Sequence, residues 1–214
     1  MERPDFLNQN KLIIILYTIF FVGLIGHIIP DLRFLMLVLT PYTLLLTGTF
    51  VLYFTYKKGE LKFLIWSLTI YVLTFILEVI GTKTGIIFGN YVYGNTLGFK
   101  LFGVPLIIGF NWALVILGAI SLSEQIDKNI FLRSLLTGTL AVLFDLVLEP
   151  VAIKLDYWNW MSGLIPLSNY YSWFAISFIA SLLYDLMKIR IKERLPEVYF
   201  MIQLIFFVLL SVFI

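Results

Sequence analysis

Residues 61–93 read LKFLIWSLTIYVLTFILEVI followed by GTKTGIIFGNYVY, and their two halves set the problem. Leu61 to Ile80 is long and apolar enough to cross a bilayer, which needs about 20 such residues. It also carries Glu78 inside the apolar run. A carboxylate there costs roughly 2.5–3.5 kcal/mol on insertion scales unless it finds a partner, a proton or a polar cavity. The loop that follows is built from glycines and aromatics, and spanning a membrane requires neither.

Working outward, the 214 residues are 61% hydrophobic and 13% charged. A soluble domain carries about 25% charged residues, so composition makes this an integral membrane protein. The net charge of +2 comes from basic residues scattered in short loops. No basic patch interleaved with stacking aromatics exists, which argues against nucleic acid as a partner. With no cysteine there is no disulfide, thiolate metal site or Cys nucleophile. The first apolar run ends in Gly-His-Ile-Ile-Pro rather than at a small-residue cleavage site, so it is expected to be retained.

Seven spans are predicted: 12–29, 34–54, 61–80, 104–122, 130–149, 169–186 and 198–214. Together they imply an all-α, polytopic membrane bundle forming a single domain over residues 1–214. Pro41 should kink or break the second span near its start. Two connections are long, Gly81 to Gly103 and Val151 to Ser168. Long loops rich in Gly, Tyr and Trp favour function over flexible linkage.

Lysine and arginine set the expected orientation. One side holds Arg3, Lys11, Lys57, Lys58, Lys62, Lys128, Arg133, Lys188, Arg190, Lys192 and Arg194; the other holds only Arg33, Lys83, Lys100 and Lys154. The N-terminus is therefore expected in the cytoplasm and both long loops outside it, in a multi-pass protein of the cell membrane.

Six polar residues then fall in one half of the bilayer: His27, Glu78, Asn111, Asp145, Glu149 and Asn169. Asp145 and Glu149 share a helix face about 6 Å apart along the axis. A lone histidine is most often a hydrogen-bonded packing residue, Asn111 can simply join helices, and Glu149 beside Pro150 can be a wet helix end. Lys83 reads as a snorkelling anchor, Asp185 beside Lys188 as a solvated helix end, and Trp66 and Tyr53 as ordinary belt aromatics. Three carboxylates at one level resist such readings and favour a functional site. Tyr91, Tyr93, Trp158, Trp160, Tyr170, Tyr171 and Trp173 form a denser group than an aromatic belt requires. Aromatic faces stabilise a desolvated cation by about 2 kcal/mol. An acid, aromatic walls and an apolar chamber are what protonation of an alkene needs.

Two blocks carry a resemblance. The first is Glu78-x-x-Gly81-x-x-Thr84-Gly85-x-x-Phe88-Gly89-x-Tyr91-x-Tyr93, followed by Leu97-Gly98-x-Lys100-Leu101-x-Gly103-Val104-Pro105. The second is Asp145-x-x-x-Glu149-Pro150-Val151, Trp158-x-Trp160 and Gly163-x-x-Pro166-x-x-Asn169-Tyr170-x-x-Trp173. This pattern, over residues 78–173, resembles the membrane family of carotenoid biosynthesis proteins. That family includes gamma-carotene 1′,2′-hydratases and bisanhydrobacterioruberin hydratases. The sequence departs at Glu149-Pro150, where the family has Asp-Pro, and keeps the acid one methylene longer.

The resemblance implies addition of water to the C1′–C2′ double bond of an acyclic ψ end group, on a gamma-carotene-like or lycopene-like substrate. It requires no flavin, nicotinamide or metal. Asp145 is expected as proton donor, with Glu78 and Glu149 holding charge or water. Tyr91, Tyr93, Trp158 and Trp160 would wall the end group, with Trp173 and Asn111 also substrate-binding, and Asn169 and His27 would position water. The alternatives are a lycopene-cyclase-like enzyme, which traps the same cation with an alkene, and a carotenoid-binding protein or proton-coupled transporter. An intramembrane prenyltransferase ranks lower, because Asp145-x-x-x-Glu149 has no second acidic motif. A retinal protein is excluded by the absence of lysine from 198–214.

Overall fold

The computed structural model describes residues 9–56, 60–191 and 193–214. Arg3, Lys57, Lys58 and Lys192 of the charge count lie outside them. Among the described residues seven helices form the frame: α1 (Gln9–Ile28), α2 (Pro30–Thr55), α3 (Leu61–Thr84), α4 (Leu106–Ile126), α5 (Ile130–Lys154), α6 (Leu167–Leu186) and α7 (Leu195–Phe213). In hydrocarbon a backbone must satisfy its own polar groups, and a helix does so within one segment. Six of these helices are long and apolar enough to cross a bilayer, so this is a multi-pass, all-α membrane bundle. The exception is α6. It has comparable length, but its first turns carry Ser168, Asn169, Tyr170, Tyr171 and Ser172.

Packing ranks the helices. α4 lies at the centre, touching α2, α3, α5, α6 and α7, and most of it is buried. α1 and α2 form the outer wall, with Ile14, Phe21, Phe34 and Leu46 exposed as expected of lipid-facing side chains. α6 lies along α5 and accepts the Trp66 indole N–H at Ala180 O, 3.0 Å away. Trp66 is fully buried, so it is a helix-joining core residue and not a belt aromatic.

Two prolines lie inside helices and do not end them. Pro41 cannot donate to the carbonyl four residues back, yet α2 runs through it unbroken. α5 likewise continues past Pro150 to Lys154. Glu149 is therefore not a wet helix end: it sits inside a helix and is 1% exposed.

The long loops contain structure that helical periodicity could not reveal. Residues 91–93 (β1) pair antiparallel with residues 158–160 (β4), in the register Tyr91 with Trp160 and Tyr93 with Trp158. Residues 100–101 (β2) and 104–105 (β3) form a tight hairpin turned by Phe102 and Gly103, both at positive φ. α3 ends because Gly85 takes the left-handed conformation at φ 68°, its N–H bonding Gly81 O at 2.8 Å, a backbone state that glycine adopts without a Cβ clash.

Candidate active site

Period-two alternation decides how the paired strands meet the bundle. Successive strand residues point to opposite faces, so Tyr91 and Tyr93 share one face, as do Trp158 and Trp160. The register places these two pairs opposite one another. Val92 and Asn159 take the exposed face. The inward face thus presents two phenols and two indoles, whose polar edges are donors, to the helix ends below.

Each donor pair serves one carboxylate. Tyr91 and Tyr93 both donate to Glu78 Oε2, Tyr93 at 2.7 Å. Trp112, on α4, donates its indole N–H to Glu78 Oε1 at 2.8 Å. Trp158 and Trp160 donate to Glu149 Oε2 at 3.0 and 2.9 Å. Asn169 Nδ2, from α6, reaches Asp145 Oδ2 at 2.6 Å and Glu149 Oε1 at 3.3 Å. Asp145 Oδ1 is buried with no hydrogen-bond partner. Glu78 therefore accepts three donors and Glu149 three, while Asp145 has only a share of one amide. Burial, and next the Glu78 charge, pushes the phenols of Tyr91 and Tyr93 well above their ordinary range. Both stay protonated and stay donors.

The loops are pinned to hold this arrangement. Ser168 and Ser172 Oγ donate to Phe88 O and Ile87 O at 3.1 and 2.6 Å, tying the glycine loop to α6. Thr96 Oγ1 donates to Leu155 O at 2.8 Å, and Lys100 Nζ to Tyr93 O at 2.8 Å. At Gly89, φ 111°, a Cβ would lie 2.5 Å from Pro166 Cγ, so the close approach of the two loops depends on glycine there.

The three carboxyl groups line one cavity of about 50 Å³. Of the residues singled out from sequence, Glu78, Asp145, Glu149, Tyr91, Tyr93, Trp158, Trp160, Asn111, Asn169 and Trp173 all line it. Asn111 Oδ1 has no partner there. His27 is placed elsewhere: it lies on α1 in a neighbouring cavity, with Nδ1 2.7 Å from Gly23 O. Tyr171 is 72% exposed and faces away from the chamber. Lys83 forms the last turn of α3, its ammonium 5.3 Å from the Phe102 ring centre.

Sequence reading missed Trp112, which both binds Glu78 and stacks on Trp173 at 3.7 Å between centroids, 21° apart. Its neighbour Asn111 was the available clue, since an indole beside a mid-span amide has polar company. It also missed Tyr157, Leu44 and Phe207 in the cavity wall. Among the described residues, no group of three or more His, Asp or Glu side chains is arranged to hold a metal ion.

Comparison with known proteins follows the same region. The sequence model of the carotenoid biosynthesis protein family matches residues 38–214. A bisanhydrobacterioruberin hydratase from Haloarcula japonica is 29% identical in an alignment 198 positions long, gaps included, that takes in 81% of this chain and 64% of that protein. The chain thus spans just under two thirds of this relative. No solved structure matches it. A family match that takes in the three carboxylates, both aromatic strands, α3 to α7 and most of α2 places this chain in the carotenoid biosynthesis protein family.

Proposed function

We propose that this protein is a carotenoid hydratase of the cell membrane, adding water to the C1′–C2′ double bond of an acyclic ψ end group. The observation that carries the reading is the unequal supply of donors to three carboxyl groups on one cavity. Glu78 and Glu149 each accept three hydrogen bonds from neutral groups. Donors of that kind favour the charged carboxylate. Asp145, with one buried oxygen unpartnered, carries the proton.

Asp145 transfers that proton to C2′ as the alkene π pair forms the new C–H bond. A tertiary cation is left at C1′. The Glu78 and Glu149 carboxylates and the aromatic lining stabilise it. Water in the chamber adds through oxygen, its excess proton passes to Glu149, and exchange through chamber water returns a proton to Asp145. The sum is alkene plus water giving a tertiary alcohol, with no change of oxidation state overall and no cofactor consumed. The chain's similarity to a bisanhydrobacterioruberin hydratase supports the same reaction class.

The test is expression in a host that accumulates gamma-carotene or lycopene, followed by chromatography and mass analysis of the pigments. Hydration raises the product mass by one water at each reacted end. A product of unchanged mass with a cyclised end would replace hydration with cyclisation.

A further inference from the structure

The acidic chamber is small. At about 50 Å³ it has room for roughly three to five waters, each needing about 10–15 Å³. A branched five-carbon end group does not fit beside them. The cavity that contains His27, between α1, α2 and α7, measures about 300 Å³, six times larger. Its wall is largely apolar, and it shares Leu44, Tyr157 and Phe207 with the acidic chamber. Those three side chains are the partition between the two spaces.

Two further observations point to a ligand. Val22 and Leu39 line the larger cavity and are also exposed on the outer surface, 58% and 41%, so the space opens between α1 and α2 towards lipid. His27 is buried there, and because Gly23 O can only accept, its Nδ1 is the donor. Nε2 is then a buried acceptor with no partner. A packing defect among aliphatic side chains would not carry one; a cavity occupied by a ligand with an accompanying water would.

We propose that the acyclic isoprenoid end of the substrate enters from the bilayer into the α1–α2–α7 cavity. Displacement of the Leu44, Tyr157 and Phe207 side chains joins the two spaces and brings the end group against Asp145 and the aromatic lining, and the acidic chamber supplies the attacking water. This assignment rests on the hydration reading for the identity of the ligand. The hydrocarbon arrives through a largely apolar cavity, and the water that attacks it waits among the carboxylates. This route also makes Gly23 a specificity position. A Cβ there would meet Phe206 at 3.7 Å, an ordinary contact, so a larger side chain fills the cavity before it disturbs the backbone.

The experiment uses the full chain in lipid nanodiscs and an acyclic polyprenyl probe bearing a photoreactive diazirine in its second isoprene unit. Adducts are expected on Phe20, Met36 or Phe206. Gly23→Leu should cut labelling by about tenfold, equivalent to roughly 1.4 kcal/mol of binding, while Gly23→Ala keeps it. Adducts on the outer faces of α3 or α6, or adducts that persist in folded Gly23→Leu, would overturn the assignment. If Gly23→Leu does not fold, the labelling pattern of the unsubstituted chain decides. Hydration without this pattern defeats the cavity assignment alone; this pattern without hydration defeats the reaction alone.

Discussion

The two ends of the bundle both bury carboxylates, and they treat them in opposite ways. At the end where α4 stops and α5 begins, Arg133 donates to Asp185, and Arg190 Nη1 lies 3.2 Å from the same oxygen. Arg133 also lies 3.9 Å from Glu124, and Glu197 accepts from Gln125 and from Arg194 at 3.0 Å. Asp185, read from sequence as a solvated helix end, is 4% exposed and ion-paired. At the other end Glu78, Glu149 and Asp145 meet phenols, indoles and an amide, and none of the ion pairs among the described residues involves them. A buried acid matched to arginine is neutralised and joins helices. One surrounded by neutral donors beside a cavity is not neutralised in that way, which leaves its charge or its proton open to the proposed chemistry.

That contrast is most directly broken by Asp145→Asn. Losing a general acid costs about 10²–10⁴-fold in rate, so hydration in a carotenoid-producing host should become undetectable while Asp185→Asn retains normal turnover per folded molecule. Equal losses in both would erase the distinction between the ends. Next in size is Arg133→Met. It leaves Asp185 buried with only Arg190, and unpairing a buried ion costs about 3–5 kcal/mol, the low end applying here. Thermal unfolding in detergent should show that loss, with the surviving folded protein still active. Glu78→Gln should do the reverse, losing at least about tenfold in hydration for little stability, since the amide keeps the shape of the acid. A Glu78→Gln protein that melts as early as Arg133→Met would make the acidic end a packing device.

Smaller effects sharpen the picture. Trp158→Phe removes one of the two indole donors from Glu149 and leaves Trp160 in place. A hydrogen bond to a charged group contributes about 1.5–3 kcal/mol, so hydration should fall roughly ten- to hundredfold with the substrate binding step little changed. Smallest is the alkaline limit. The folded-state values of Tyr91 and Tyr93 lie above the ordinary 10.0, so the folded state holds their protons more tightly than the unfolded chain. Their stabilisation is complete below pH 10 and is lost as pH rises beyond it. Tyrosinate absorbance from these two should appear only with unfolding, and Tyr91→Phe with Tyr93→Phe should soften that transition.

What was legible in sequence follows from the solvent. Hydrocarbon demands long apolar helices and penalises stray charge, so the spans, the carboxylate trio and the aromatic density of both long loops stand out residue by residue. Glu78, Asp145 and Glu149 need no partner to be conspicuous. Which donor serves which acid was not legible, because a loop that pairs over three residues has no periodicity to announce it. The Tyr91-x-Tyr93 and Trp158-x-Trp160 spacings gain meaning only when their register is known. Trp112 and Asp185 were misjudged or missed for one reason. A side chain on a uniformly apolar helix faces lipid or protein according to its neighbours, and helix sequence alone does not choose.

The chain by itself therefore determined a membrane bundle, a level for the acids and an aromatic supply near them, because bilayer energetics act on each residue separately. The tertiary structure alone decided that Tyr91, Tyr93 and Trp112 serve Glu78 while Trp158 and Trp160 serve Glu149, that Asp145 keeps an unpartnered oxygen, and that His27 belongs to the larger cavity next door. Those are contacts between segments far apart in sequence, and only packing α3, α4, α5, α6 and the two strands against one another brings them into range.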